Sequence, residues 1–160
     1  MKEKYTINKK KASIGILIVM LISMIIGNLL YLNPLVAGIY NQYANHPSVK
    51  NMNEFGGVVN WILLTLLFGI FYDIVIICIY ILFYESIPRE KWQKGLVYGA
   101  IIAFIKAVPE AFNQYMIFNY PSILILIQLF NTMIGIILFG ITLAVIFEKL
   151  NVFEYDLTQD

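Results

Sequence analysis

The sequence predicts an all-α integral membrane protein, a bundle of four transmembrane helices with both termini in the cytoplasm. Hydrophobic residues make up 60% of the 160-residue chain and charged residues only 13%, about half the charged share of an ordinary soluble domain. Four apolar segments each reach the roughly 20 residues that a helix needs to cross a bilayer. The lysines and arginines are distributed unevenly between the joining segments, and this bias orients a membrane protein.

The first two predicted spans are residues 12–32 and residues 57–84. The first carries no charge and follows a lysine-rich head. Its apolar core is longer than that of a signal peptide and no small-residue cleavage site follows it, so we expect a retained helix. The second is interrupted only by Asp73.

The third and fourth predicted spans are residues 95–118 and residues 122–147. No charged residue occurs from 111 to 147, and this run is too long for one ordinary crossing. Pro121 lacks a backbone donor and disfavours helical geometry at Tyr120. The sequence therefore predicts a turn between the two spans at this proline.

Four crossings place both termini on one side, and the positive charges select the cytoplasm. With the N-terminus inside, the only lysine in the outer segments is Lys50, a strong positive-inside bias. The inner segments hold Lys2, Lys4, Lys9, Lys10, Lys11, Arg89, Lys91, Lys94 and Lys149.

The domain prediction is one transmembrane domain over residues 1–150 and a short, mobile cytoplasmic tail over residues 151–160. The outer segment, residues 33–56, begins apolar enough to form a short helix or to lie along the membrane interface, and continues as a loop.

One face of the third span combines small and polar residues. At about 100° per residue, they fall within roughly a third of the circumference. The small residues allow a neighbouring helix to approach closely. This inward face holds Gly95, Gly99, Ala103, Lys106, Ala107, Glu110, Asn113 and Gln114. The opposite face, predicted to contact lipid, holds Val97, Tyr98, Ile101, Phe104, Ile105, Val108, Phe112 and Met116.

Three ionisable residues, Asp73, Lys106 and Glu110, lie within the predicted spans. Asp73 and Lys106 are each about 16 Å deep, near the centre of a core of roughly 30 Å. Each such group costs about 2.5–3.5 kcal/mol to insert, so it usually faces the bundle interior and marks a site. The predicted ligand-binding residues are Asp73, Lys106, Glu110, Asn113, Gln114, Gln128 and Asn131.

The first functional hypothesis is that these residues line a polar cavity, open to the outside, that binds or transports a small polar solute or ion. Glu110 would be the ligand or proton acceptor, Lys106 its counter-ion and Asp73 the mid-membrane partner, with the amides orienting the solute. Pro109 lies within the third span and favours a kink in that helix.

Structural pairing alone is the competing interpretation of the same residues. Lys106 and Glu110 have the spacing of an ion pair on one helix, Asp73 with Lys106 could be a buried salt bridge, and the amides could join helices by hydrogen bonds.

The alternative function is a non-catalytic accessory or assembly subunit that docks another membrane protein. A membrane enzyme acting on lipid ranks third, because the sequence has no Ser–His pairing, no HExxH and no glycine-rich phosphate loop. We therefore predict that the protein is not an enzyme.

Cofactor and partner expectations follow from composition. The only cysteine, Cys78, and the only histidine, His46, argue against a metal or cofactor site. The net charge of +1 argues against nucleic acid. The predicted partners are the lipid bilayer, a small solute or ion, and a second copy or another membrane protein. The predicted location is the cell membrane, and the wealth of isoleucine, lysine, asparagine and tyrosine indicates a prokaryotic source.

Overall fold

The computed structural model of the protein describes residues 5–155, without the side chains of Tyr5, Met52 and Tyr155. Its elements are β1 (Tyr5–Ile7), α1 (Lys9–Tyr31), α2 (Pro34–Gln42), a 3₁₀ turn (Met52–Phe55), α3 (Val58–Phe83), α4 (Lys91–Ile117), α5 (Ser122–Lys149) and β2 (Phe153–Tyr155). Helices α1, α3, α4 and α5 are each long and apolar enough to cross a membrane, and each coincides with a predicted span. The chain is therefore an all-helical, multi-pass membrane protein with one small pair of strands.

Asparagines begin two of the helices. The side-chain oxygen of Asn8 accepts a hydrogen bond from the backbone N–H of Lys11, and that of Asn33 accepts one from Val36. Both bonds satisfy N–H groups that the first turn of a helix leaves without partners. Pro34 is the first residue of α2, where its missing donor costs nothing. Of the two alternatives for the start of residues 33–56, the structure shows the short helix.

The two ends of the described chain meet at one end of the bundle, which we call the terminal end. Strand β1 pairs antiparallel with β2, with Thr6 opposite Glu154. The Nζ of Lys11 lies 2.8 Å from Oε1 of Glu154, the one ion pair within 4 Å among residues 5–155. We call β1, β2 and this ion pair the terminal clasp. The other end, with α2 and the α4–α5 turn, is the loop end.

The clasp corrects the expectation of a mobile tail. Val152 is 0% exposed and Phe153 is 9% exposed, and the Phe153 ring stacks on Tyr84 with 3.7 Å between ring centroids. Two apolar side chains directly after the last helix have a place in the core, so the prediction is wrong for residues 151–155. Residues 156–160 lie outside the described residues.

Helices α4 and α5 pack through glycines. A Cβ added to Gly95 would overlap the carbonyl oxygen of Gly140, and one added to Gly99 would lie 2.9 Å from that of Ile136. Ala103 and Ala107 are also buried. The small-residue face predicted for the third span therefore makes the close helix contact expected of it.

The opposite face of α4 is exposed, as predicted, at Phe104, Ile105, Phe112 and Met116. Val97, predicted on the same face, is partly buried against the core. Tyr98 departs further, because it is only 4% exposed and its hydroxyl donates a hydrogen bond to the carbonyl of Ile76. Its assignment to the lipid face is wrong. A buried tyrosine needs such a partner for its hydroxyl.

The core is concentrated at the terminal end. Tyr80 packs edge-on against Tyr98 and Phe147, at 5.1 and 6.1 Å between ring centroids. The buried residues of α3 are Ile76, Ile77 and Tyr80, all in the half of α3 nearer this end. The other half of α3 has no buried residue, so the bundle opens toward the loop end.

Candidate functional site

A cavity of about 180 Å³ lies where the bundle opens, and we call it the central cavity. All four long helices contribute to its lining. Asp73 of α3, Lys106 of α4 and Asn131 of α5 supply three of the predicted site residues, while Ile76 and Phe139 line it toward the terminal end. Its volume is far above the 10–15 Å³ or so that one water needs, so it can hold a small solute.

Asp73 and Lys106 line this cavity from different helices and are both half-buried. Neither makes an ion pair within 4 Å in the described part of the chain. Instead, the Nζ of Lys106 lies over the ring of Tyr72, 4.2 Å from its centroid, a cation–π contact. The direct salt bridges considered as structural pairing, to Asp73 or to Glu110, are therefore not formed.

Polar groups of α1 and α5 complete the lining. Ser23 of α1 lines the cavity together with Asp73. Nearer the loop end, the Tyr31 hydroxyl and the Thr132 hydroxyl are 3.1 Å apart. The Nδ2 of Asn131 donates to the carbonyl of Leu30 at 2.9 Å. Hydrogen bonds across α1 and α5 thus hold this part of the wall.

Tyr72 presents a polar group without a partner. Its hydroxyl oxygen is buried and makes no hydrogen bond, and the residue lines the central cavity. A buried hydroxyl without a partner is unfavourable, so a polar occupant of the cavity can stabilise it.

Glu110, Gln114 and Gln128 do not line the central cavity but surround a crevice of about 10 Å³ between α4 and α5. We call it the amide crevice. Thr132 lines both spaces, so they adjoin. Asn113 is exposed and lines neither space. The structure thus divides the seven predicted residues into two groups of three and one residue outside both.

Four residues that line the central cavity were not among the predicted site residues: Ser23, Tyr31, Tyr72 and Thr132. A signal existed for two of them, because Ser23 and Tyr31 are separated by eight residues and share one face of α1. Tyr72 and Thr132 each neighbour a predicted site residue along a helix. Adjacent helical residues point about 100° apart, so only the packing shows that both partners reach the same space.

A third cavity, of about 430 Å³, lies at the terminal end. Charged groups of both signs line it, among them Glu90, Lys91 and Glu148. Lys94 also lines it, and its Nζ donates to the carbonyl of Tyr84 at 2.9 Å and lies 3.7 Å from the centroid of that ring. Lys91 and Lys94 are among the positive charges that predict a cytoplasmic location for this end of the bundle.

Within residues 5–155, no group of three or more His, Cys, Asp and Glu side chains could hold a metal ion. No protein-family model, no curated protein and no solved structure matches the chain.

Proposed function

We propose that the protein binds a small polar solute or ion in the central cavity and carries it across the cell membrane, with the terminal end in the cytoplasm. The observation that carries the proposal is the placement of Asp73 and Lys106. They are opposite charges from two helices that line one cavity without a direct ion pair.

Electrostatics supports an occupant of this cavity. Charges taken out of water lose several kcal/mol of solvation each, on the order of what a close ion pair recovers. A purely structural pair would therefore bring nitrogen and oxygen into contact. Asp73 and Lys106 stay apart across a space that admits water-sized or larger groups. A polar solute or its water would solvate both charges, which is the usual role of ionisable groups at membrane depth.

The groups around the cavity suggest roles. Lys106 offers an ammonium to an electronegative group of the solute, and Asp73 offers a carboxylate to a donor or cation. The hydroxyl of Tyr72 and the side chain of Asn131 would orient the bound molecule. The loose packing of α3 supports access from the loop end, because that half of the helix has no buried residue and Leu67 and Phe68 are 65% and 67% exposed.

The test uses the full chain purified in detergent, with thermal unfolding in glycine, glycerol, ammonium chloride and choline acetate in sodium-free buffer at matched ionic strength. We expect at least one class of solute to raise Tm in a saturable way. Asp73→Asn and Lys106→Met should remove that rise, whereas Lys91→Met should keep it, since Lys91 is outside the central cavity. Uptake of the stabilising solute into proteoliposomes then tests transport. The same rise in Tm in the wild-type chain and in all three variants would exclude binding at this site.

A second candidate function is an accessory subunit that docks another membrane protein, and the loop half of α3 favours it. In that half of α3, Leu63, Leu67 and Phe68 are all exposed, so a partner helix could cover them in place of lipid. This function predicts that Phe68→Ala abolishes recovery of a partner from membranes while Asp73→Asn acts only through stability. It predicts no solute-dependent shift in Tm.

A further inference from the structure

We propose that Glu110, Gln114, Gln128 and Thr132 form a binding site for one sodium ion in the amide crevice, directly beside the central cavity. The site would take a small monovalent cation and not the solute itself. It accounts for the three predicted site residues that do not line the central cavity.

Helix geometry brings the four candidate ligands together. Glu110 and Gln114 are four residues apart on α4, and Gln128 and Thr132 are four residues apart on α5. Residues at this spacing lie one above the other on the same face of a helix. Both pairs line the crevice, so a carboxylate, two amides and a hydroxyl converge from two facing helices. Oxygen donors of these types suit hard cations.

Two of these oxygens have no partner. Oε1 of Gln114 and Oε1 of Gln128 are both buried and accept no hydrogen bond. A buried acceptor left without a donor is costly, and both glutamines line the crevice. A cation between them would satisfy both at once.

Charge and size select the ion. The one carboxylate of the crevice, Glu110, neutralises one positive charge, whereas a divalent ion would leave a net charge in an apolar surrounding. The crevice volume of about 10 Å³ is at the lower limit for a single water. A sodium ion is smaller than a water molecule and a potassium ion is about as large, so the space favours sodium.

An ion can reach the site from the loop end. Glu110 is about 10 Å from the end of α4, and Gln128 is about 9 Å from the start of α5, at 1.5 Å per residue. Glu110 is also exposed. The site therefore lies between the loop end and the level of Lys106, on the side from which the proposed solute would enter.

Thr132 connects the ion site to the central cavity, and this step rests on the proposed function. Thr132 lines both the crevice and the central cavity, and its hydroxyl is 3.1 Å from the hydroxyl of Tyr31, which lines the central cavity. When the Thr132 oxygen coordinates a cation, its hydrogen is directed away from the ion, toward Tyr31. The ion thereby changes which groups the cavity offers a solute. By linkage, the solute must change the affinity for the ion by the same factor.

The test measures Tm of the purified chain without solute while sodium chloride replaces choline chloride or potassium chloride at constant ionic strength. We expect a saturable rise of about 3–6 °C at ten times Kd with sodium only. Glu110→Gln and Gln114→Ala should lose most of it. Gln93→Ala, the same residue type exposed on the same helix, should keep it.

Three outcomes would overturn the ion site: an equal rise with potassium or choline, an undiminished rise in Gln114→Ala, or a rise that follows pH and not sodium. The last would assign proton binding to Glu110. Should Glu110→Gln not fold, Gln128→Ala and the sodium preference of the wild-type chain give the answer. A sodium effect without any solute effect supports the ion site and removes the proposed solute site, so the two proposals can fail separately.

Discussion

The Nζ of Lys106 lies 4.2 Å from the centre of the Tyr72 ring, which joins α4 to α3 beside the central cavity. The face of the ring is the negative part of its quadrupole, so it attracts the ammonium group of Lys106. Among the described residues, no carboxylate lies within 4 Å of that group. This contact gives α3 an attachment to α4 in a region where α3 has few buried residues.

Removing the ring should loosen that attachment. We expect Tyr72→Leu to lower the free energy of unfolding by about 1–2 kcal/mol, because a partly desolvated cation–π contact is worth that amount. Tyr72→Phe keeps the ring and removes a buried hydroxyl without a partner, so it should be neutral or slightly stabilising. Unfolding titrations in mixed micelles measure both. A phenylalanine variant as unstable as the leucine variant would contradict the ring's role.

The glycine contact between α4 and α5 predicts a sharp difference between two alanine substitutions. In Gly95→Ala, the new methyl group meets the backbone of Gly140, which cannot turn away, so we expect a loss of about 1–3 kcal/mol. In Gly69→Ala on α3, nothing lies within 4 Å of the added Cβ. Because alanine forms helices more readily than glycine, this substitution should not lower the free energy of unfolding. Equal stabilities of the two variants in the same titration would disprove the close approach.

The hydrogen bond from Tyr98 to the carbonyl of Ile76 predicts a cost for deleting one oxygen atom. Tyr98→Phe should lower the free energy of unfolding by about 0.5–1.5 kcal/mol, the range for a hydrogen bond between membrane helices. Tyr115→Phe is the matched control, because Tyr115 on the same helix is 68% exposed. If Tyr98 faced lipid instead, both substitutions would have the same small effect.

The terminal clasp predicts a dependence of stability on pH. Hydrogen bonds from Lys11 at 2.8 Å and from Asn8 at 3.0 Å hold the pKa of Glu154 below its usual value of 4.5. A carboxyl with a lowered folded pKa contributes stability above its unfolded pKa and loses it as pH falls through the folded pKa. Glu154→Gln should therefore have a lower Tm than the wild-type chain at neutral pH.

That difference in Tm should shrink as pH falls below 4.5 and vanish once Glu154 is protonated. Glu85→Gln controls for the loss of one negative charge outside the clasp. A difference between Glu154→Gln and wild type that stays constant with pH would show that the carboxylate is not what stabilises the clasp.

Hydropathy was sufficient to predict the four crossings, because each needs only a long apolar run and a turn signal such as Pro121. The small face of the third span was also predictable, since glycine and alanine repeat at helical spacing. The burial of Tyr98 could not be predicted, because a helical wheel gives the direction of a side chain but not the neighbour it meets. Its hydroxyl has a partner only because the backbone of α3 passes at that level.

The division of the site into two spaces could not be predicted from the sequence either. Lys106, Glu110 and Gln114 share a face of α4, and their spacing alone predicts one continuous stripe. Whether the stripe faces one helix or two depends on where α3 separates from the bundle. The clasp was missed for a related reason, because nothing local indicates that strands separated by the whole bundle will pair.

The pairing of Thr6 with Glu154 spans 148 positions of the chain, which gives the clasp a meaning for biosynthesis. A ribosome produces the second strand only after the last helix has been translated, so no earlier intermediate can make this contact. Closure of the clasp therefore requires that all four helices have been translated, and a chain stalled before that point leaves β1 without its partner strand.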